Sequence, residues 1–335
     1  PERLQRRQRR PALGRRGQSR ADVEYDGSFS NHAKQNLAGY SLFVEGNPTD
    51  LWNTKLTLGR STDELGNDWN GLFSTGRYHT RINQLHWENI LLMGRHTFRF
   101  GVEGQDQKLD SDQVYSQVER QSVSAYAGVG VKLGGHAIDL GMRRDHYSDF
   151  GGHTTGRLAY GYTLTPTIKL HGAVGTAFKA PTFNDLYLDY PPFYFSNPNL
   201  KPERAKSAEI GLTYAANRQF VQATLFASRT RDMVAIDPVT FSTTVNLDDS
   251  RNHGLELSWN GKLAGLETRA ALTLQNPEDA NTGLALLRRA QRFGSLSVSG
   301  RSGQFGWRAE LIASGSHPDV HVTNFTRTSV PGYAS

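Results

Sequence analysis

From about residue 20 onward the chain runs in segments of alternating apolar and polar residues, each about 10 long and bounded by Gly, Asn, Asp, Ser or Pro clusters. In Glu267–Gln275, Thr268, Ala270, Leu272 and Leu274 fall on one side, and Glu267, Arg269, Thr273 and Gln275 on the other. A period of two places successive side chains on opposite faces, which predicts a strand. The same alternation sets Val221, Ala223, Leu225 and Ala227 against Gln222, Thr224 and Ser228, and Leu255, Leu257 and Trp259 against Glu256 and Ser258. Ile138, Leu140 and Met142 alternate with Asp139 and Arg143, and Phe305, Trp307, Ala309 and Leu311 with Arg308 and Glu310. No segment carries a helical period, so the class is all-β. About 15 strands are visible, more than the roughly 7 to 9 of an immunoglobulin-type sandwich. A propeller would show a blade period near about 40 residues, and none is found.

Connections alternate in length, as in outer-membrane barrels, where turns are short on the periplasmic side and loops long on the outer side. Short turns are predicted at 132–136, 164–167, 215–219, 261–266 and 300–304, and long excursions at 61–76, 107–118, 180–206 and 276–287. Tyr40, Phe43, Trp52, Trp87, Tyr126, Tyr160, Tyr162, Tyr214, Phe220 and Trp259 sit toward strand ends. They suit either interfacial girdles or ordinary cross-strand packing. Apolar runs are too short for a spanning helix of about 20 residues. The mean hydropathy of −0.56 does not exclude a barrel, because only alternate side chains would meet lipid.

Charge is unevenly placed. The 335 residues carry 38 Lys and Arg against 32 Asp and Glu. Residues 1–20 hold eight of the Arg and only one acid, Glu2, so the other 315 residues have 30 basic and 31 acidic groups, a net of −1. The basicity belongs to a tail, and no nucleic-acid partner is expected of the remainder. The tail has no apolar core of a signal peptide. It reads as disordered or out of frame, with an anion-binding arm as the alternative. There is no cysteine, hence no disulfide framework or thiolate metal site.

Four ordered stretches resemble the TonB-dependent outer-membrane receptors, nearest the vitamin B12 (cobalamin) receptor branch. They are GTAFKAPTFNDLY at Gly175–Tyr187, NPNLKPERAKSAEIG at Asn197–Gly211, RNHGLELSW at Arg251–Trp259 and LLRRAQRFGSLS at Leu286–Ser297. The resemblance covers residues 21–335 and implies a large antiparallel transmembrane β-barrel in the outer membrane of a Gram-negative cell. The family's barrels have about 22 strands around a plug, so this chain is expected to be an incomplete wall lacking the plug and closing strands, and by itself inactive in transport. Ser329–Ser335 resembles the lead into a closing strand pair. The four motifs are expected mainly to shape the wall rather than to touch substrate.

The resemblance further implies a bulky scarce nutrient as ligand, most of all cobalamin, with a ferric siderophore or haem as the alternative. It implies the TonB–ExbB–ExbD complex as energy-transducing partner and outer-membrane lipid as surroundings. In the outer loop, Tyr187, Tyr190, Phe193, Tyr194 and Phe195, with Asn197, are candidate ligand contacts, since aromatic rings give broad area at low entropy cost. Packing of the loop on itself is the competing role. Some cobalamin receptors order outer loops with calcium, which takes about six to eight oxygens. Asp63, Glu64 and Asp68, near Asn67, are candidates, with a solvated acidic loop as the alternative; no cofactor is required. The eleven His lack zinc-site spacing, and His146 and His153 are expected in a loop around Gly151 and Gly152. No Gly-x-Ser-x-Gly elbow or phosphate-binding fingerprint is present, so no enzyme is expected. A β-rich soluble binding protein and an outer-membrane enzyme remain the alternatives from other classes.

Overall fold

The computed structural model describes residues 17–25, 31–69, 76–237, 240, 242–321 and 326–335. The strands are β1 (Gly17–Tyr25), β2 (Asn31–Thr49), β3 (Trp52–Trp69), β4 (Gly76–Met93), β5 (His96–Ser111), β6 (Val114–Tyr115) and β7 (Glu119–Leu133). There follow β8 (His136–Tyr147), β9 (Gly151–Thr163), β10 (Ile168–Lys179), the short helix α1 (Phe183–Tyr187), β11 (Leu188–Asp189) and β12 (Glu203–Ala216). The remainder are β13 (Gln219–Ile236), β14 (Thr244–Leu263), β15 (Leu266–Gln275), β16 (Glu278–Asp279), β17 (Arg292–Ser302) and β18 (Phe305–Ser314). Last come β19 (His317–Val320), β20 (Arg327–Val330) and β21 (Tyr333–Ala334).

Each of the long strands pairs antiparallel with the next long one, from β1 through β18, in a single meander. Fifteen long strands make this wall among the described residues. Among the described residues it is not closed: β1 is hydrogen-bonded to β2 alone, and β18 passes from β17 to the two-residue β21. β1 opens at Gly17, inside the Arg-rich stretch assigned above to a tail, because backbone pairing with Asn36–Gly39 does not depend on apolar side chains. The tail's residues 1–16 lie outside the described residues.

The register turns the period-two pattern into two chemically different surfaces. Tyr214, Val221, Trp259, Ala270, Leu296 and Leu311 are directly opposed on six consecutive long strands and so share one face. Leu42, Leu58, Leu85, Gly104 and Val123 form a matching row on β2 to β7. The adjacent row on the other face is Thr213, Gln222, Ser258, Ala271 and Ser295. The apolar face is open: Ile210 is 63% exposed and Leu225 58%. The buried hydrophobic residues described are only Leu109, Leu186, Tyr187 and Leu200. A water-soluble sheet buries such a face against a second layer, whereas a membrane barrel turns it to lipid and keeps polar groups inside.

On the polar face, Arg143 donates to Asp145 at 2.8 Å and lies 3.5 Å from Glu103, while Ser124 Oγ donates to Asp145 at 2.6 Å. Tyr126 OH meets His86 Nε2 at 2.9 Å. Two of the sequence motifs have a steric reason in this wall. A Cβ at Gly254 would collide with the carbonyl oxygen of Leu274 and meet the Phe226 ring at 2.9 Å, and one at Gly294 would lie 2.5 Å from the Ala271 carbonyl oxygen. These glycines admit close approach of a neighbouring strand.

Short turns at 50–51, 94–95, 134–135, 164–167, 217–218, 264–265 and 303–304 all fall at one end. The opposite end carries the long connections, with one exception, the tight turn at 148–150. Three boundaries are corrected. Residues 61–69 belong to β3, 107–111 to β5 and 203–206 to β12, because these strands run on where the regular alternation of apolar and polar residues breaks down. His146 and His153 likewise stand within β8 and β9 rather than in a loop.

Candidate functional site

The long connection from Lys179 to Glu203 folds back over the polar face. It opens with α1, whose start is a capping box: Thr182 Oγ1 accepts from the Asp185 amide at 3.2 Å, and Asp185 Oδ2 accepts from the Thr182 amide at 2.8 Å. β11 then pairs with β6 of the preceding loop, Leu188 opposite Tyr115 and Asp189 opposite Val114. Leu186, Tyr187 and Leu200 are buried together, with Tyr115, Phe183 and Val234 packed around them. Tyr115 OH donates to Asn184 at 2.7 Å.

A buried ion pair anchors this loop to the wall. Arg120, on the polar face of β7, and Asp149, in the 148–150 turn, have side chains only 6% and 2% exposed and meet at 2.6 Å. Arg120 also donates to the Pro181 carbonyl at 3.1 Å, and its guanidinium lies over the Phe150 and Phe183 rings at 5.2 and 4.8 Å. Tyr187 OH donates to the same Asp149 oxygen at 3.1 Å. A strand, a tight turn and the long connection thus converge on one carboxylate.

The six candidate contacts separate into two groups. Tyr187 is 7% exposed and belongs to the loop's own core. Asn197 donates its side-chain amide to the Thr244 carbonyl at 2.9 Å and accepts from the Asn199 amide at 3.1 Å, and Tyr194 OH meets Thr244 Oγ1 at 3.2 Å. These three serve the loop itself. Phe193 and Phe195 are 67% and 47% exposed, and the Tyr190 ring stacks on Phe193 at 6.1 Å between centroids. Arg120 and Asp149 were missed from the sequence, since nothing in the spacing of a lone Arg in a strand and a lone Asp in a turn marks a pair.

Asp63 and Glu64 do not form a calcium site together. They are neighbours in β3, so their carboxylates leave opposite faces of the sheet. Asp63 accepts from Gln35 at 3.0 Å and Glu64 from Asn36 at 3.4 Å. The side chain of Asp68 lies outside the described residues. Among the described residues no three His, Asp or Glu gather as a metal site.

Burial, with the adjacent Asp149 carboxylate adding to it, pushes the Tyr187 phenol up to about 12. A raised value means that the neutral phenol is favoured in the fold. Its stabilisation is complete below the ordinary value of about 10 and is lost as pH rises from there to about 12. In a spectrophotometric titration, the difference between the wild type and Tyr187→Phe should be one phenol ionising near the top of that window. A difference step at the ordinary value would contradict the burial.

The model of the TonB dependent receptor-like β-barrel matches residues 3–335. The chain belongs to that family. As a family member it is 28% identical over 316 residues to the vitamin B12 transporter BtuB of Vibrio vulnificus, covering 89% of this chain and 50% of the relative. It is 26% identical over 308 residues to BtuB of Photobacterium profundum, with coverages of 89% and 50%. This family chain therefore spans about half the length of the curated relatives it matches. Among solved structures, a mutant of the ferric enterobactin receptor PfeA from Pseudomonas aeruginosa superposes with a TM-score of 0.78 at 19% identity, covering 90% of this chain and 53% of that one. The siderophore receptor PirA from Acinetobacter baumannii gives 0.76 at 15% identity, with coverages of 90% and 55%. These receptors share the barrel fold with the chain, and the matched relatives are transporters and receptors, not enzymes.

Proposed function

We propose that this chain forms the wall of an outer-membrane receptor that captures cobalamin, with TonB–ExbB–ExbD supplying energy to the whole protein. The observation that carries the cobalamin assignment is the sequence likeness to vitamin B12 transporters across 89% of the chain. The outer-membrane setting is supported by the exposed apolar rows of the wall, which a soluble binding protein would have to cover.

In this reading the loop held by Arg120 and Asp149 offers Tyr190, Phe193 and Phe195 to the ligand. A corrinoid presents a broad, partly apolar surface, which suits exposed rings fixed on a packed base. Equilibrium binding tests the ligand assignment directly. In equilibrium binding to the chain refolded in detergent, cobalamin should outcompete ferric enterobactin. Phe193→Ala with Phe195→Ala should weaken cobalamin about tenfold, which corresponds to about 1.4 kcal/mol. Preference for the ferric chelate would move the assignment to siderophore uptake, and equal binding by the double variant would remove the rings from the site.

A further inference from the structure

At the short-turn end of the wall, the polar face of β13 to β18 gathers cations around a cavity. Phe220, Asn260, Arg269, Ser297 and Glu310 are directly opposed across β13, β14, β15, β17 and β18. The next row toward the turns sets Lys262, Glu267, Ser299 and Arg308 side by side. Both rows share the face of Gln222, Ser258, Ala271 and Ser295, because they stand an even number of residues further along the same strands. Arg218 lies in the 217–218 turn, and Arg301 stands two residues before the 303–304 turn. The cavity, about 630 Å³, is lined by Arg218, Phe220, Asn260, Arg269, Ser297 and Arg308 among others.

Lys262 meets Glu267 at 2.9 Å and Arg308 meets Glu310 at 3.3 Å. Arg218, Arg269 and Arg301 have no ion-pair partner among the described residues, so five cations here face two carboxylates. The next charged groups deeper on this face, Lys169 and Glu256, cancel. On the other side of the wall, cations at this end stand against acids: Lys55 is opposite both Glu45 and Glu88, and Arg99 lies 3.8 Å from Asp139. Neighbouring strands lie about 4.8 Å apart, so the steps from β13 through β14, β15 and β17 to β18 spread the cations over about 19 Å. That spread suits several anionic groups on one chain rather than a single small anion. An extended segment of about six residues covers about 20 Å, and its alternate side chains point to one side. Carboxylates at every second position would then meet successive guanidinium groups, which pair with them through two hydrogen bonds. Phe220, 37% exposed, adds an apolar contact among the cations.

We propose that this pocket takes an extended acidic peptide segment of a separate periplasmic chain, with Arg218, Arg269 and Arg308 on its carboxylates and Phe220 against its stem. The proposal rests on the chain being an outer-membrane wall, whose short turns face the periplasm; it does not depend on the ligand being cobalamin. Arg218 is in a turn, and Lys262 and Arg301 each stand two residues before one, so the site lies at the mouth of the polar face. A chain arriving from the periplasm meets it first.

The test is fluorescence anisotropy on the chain refolded in detergent, with a labelled hexapeptide of alternating Glu and Ser, its Gln counterpart, and tripolyphosphate as competitor. The Glu peptide should bind at least about tenfold more tightly than the Gln peptide, and tripolyphosphate at matched charge should not displace it. Arg269→Gln with Arg308→Gln should weaken binding about tenfold. Lys55→Gln with Arg99→Gln, which removes the same charge outside the pocket, should leave it unchanged. Carried at the end of a folded protein wider than the lumen, the Glu peptide should still bind. Equal binding of the Gln peptide, equal loss in both double variants, or displacement by tripolyphosphate each overturns the proposal. Binding of the free peptide but not of the carried one overturns the separate-chain source and moves the occupant inside the lumen. Cobalamin binding to the Arg269→Gln, Arg308→Gln variant should be unchanged, because the aromatic loop is at the opposite end. A wild type that discriminates the peptides and does not bind cobalamin removes the cobalamin reading alone, and the reverse result removes the pocket alone. A chain with no heat-shifted band takes the outer-membrane reading and the periplasmic source down together.

Discussion

Asp149→Ala should detach the 180–202 connection from the wall and weaken cobalamin binding at least tenfold. The variant leaves Arg120 as an uncompensated cation with a side chain only 6% exposed, and breaking a buried pair from one side costs about 3–5 kcal/mol. It also removes the acceptor of the Tyr187 hydroxyl, so the loss falls on one turn of helix and its small core rather than on the strands. Hydrogen exchange is the deciding measurement. The Leu186 amide, bonded to Thr182 within α1, should lose protection while amides of β12 and β13 keep theirs. Retained protection at Leu186 would show that the pair does not hold the loop. Arg120→Ala should act in the same direction, since it leaves the carboxylate buried and also removes the donor to Pro181.

Gly254→Val should prevent the wall from assembling, with no heat-shifted band after refolding. The branched side chain would be driven into the Leu274 carbonyl on the next strand, against the Phe226 ring and within reach of the Gln275 backbone. Overpacking at a site where a flexible side chain can yield costs about 1–3 kcal/mol, and a backbone carbonyl in a ladder has less room to give. Gly104→Val is the matched control, because nothing lies within 4 Å of its Cβ position. It should fold like the wild type. Normal folding of Gly254→Val would mean that β14 and β15 separate or shift at this point, and equal failure of both variants would point to a general intolerance of branched residues in these strands.

Much of the wall is legible in the sequence. Alternation at Glu267–Gln275 or Val221–Ser228 is a local property, and it reports a strand and its apolar face directly. The short turns were legible for the same reason: two apolar rhythms separated by a few turn-forming residues leave no other connection. Legibility ended where polarity became uniform. Residues 61–69 show no regular apolar–polar alternation, so local pattern predicts a loop there, in which Asp63 and Glu64 are neighbours able to share an ion. A strand sends them to opposite faces.

The loop shows the limit from the other side. Its aromatic composition pointed to ligand contacts as a group, and composition does not distinguish Tyr187, packed with Leu186 and Leu200, from Phe193, which is exposed. Period-two patterning and turn chemistry determined from sequence alone that the chain is an antiparallel wall with one apolar and one polar face, and the four motifs marked its family. Only the tertiary structure decided which distant residues meet: Arg120 with Asp149, Tyr187 with Asp149, and Phe220 with Asn260 and Arg269 in one row. The physical reason is that alternation is fixed within a strand, whereas pairs across strands depend on register and loop closure, and no stretch of consecutive residues records either.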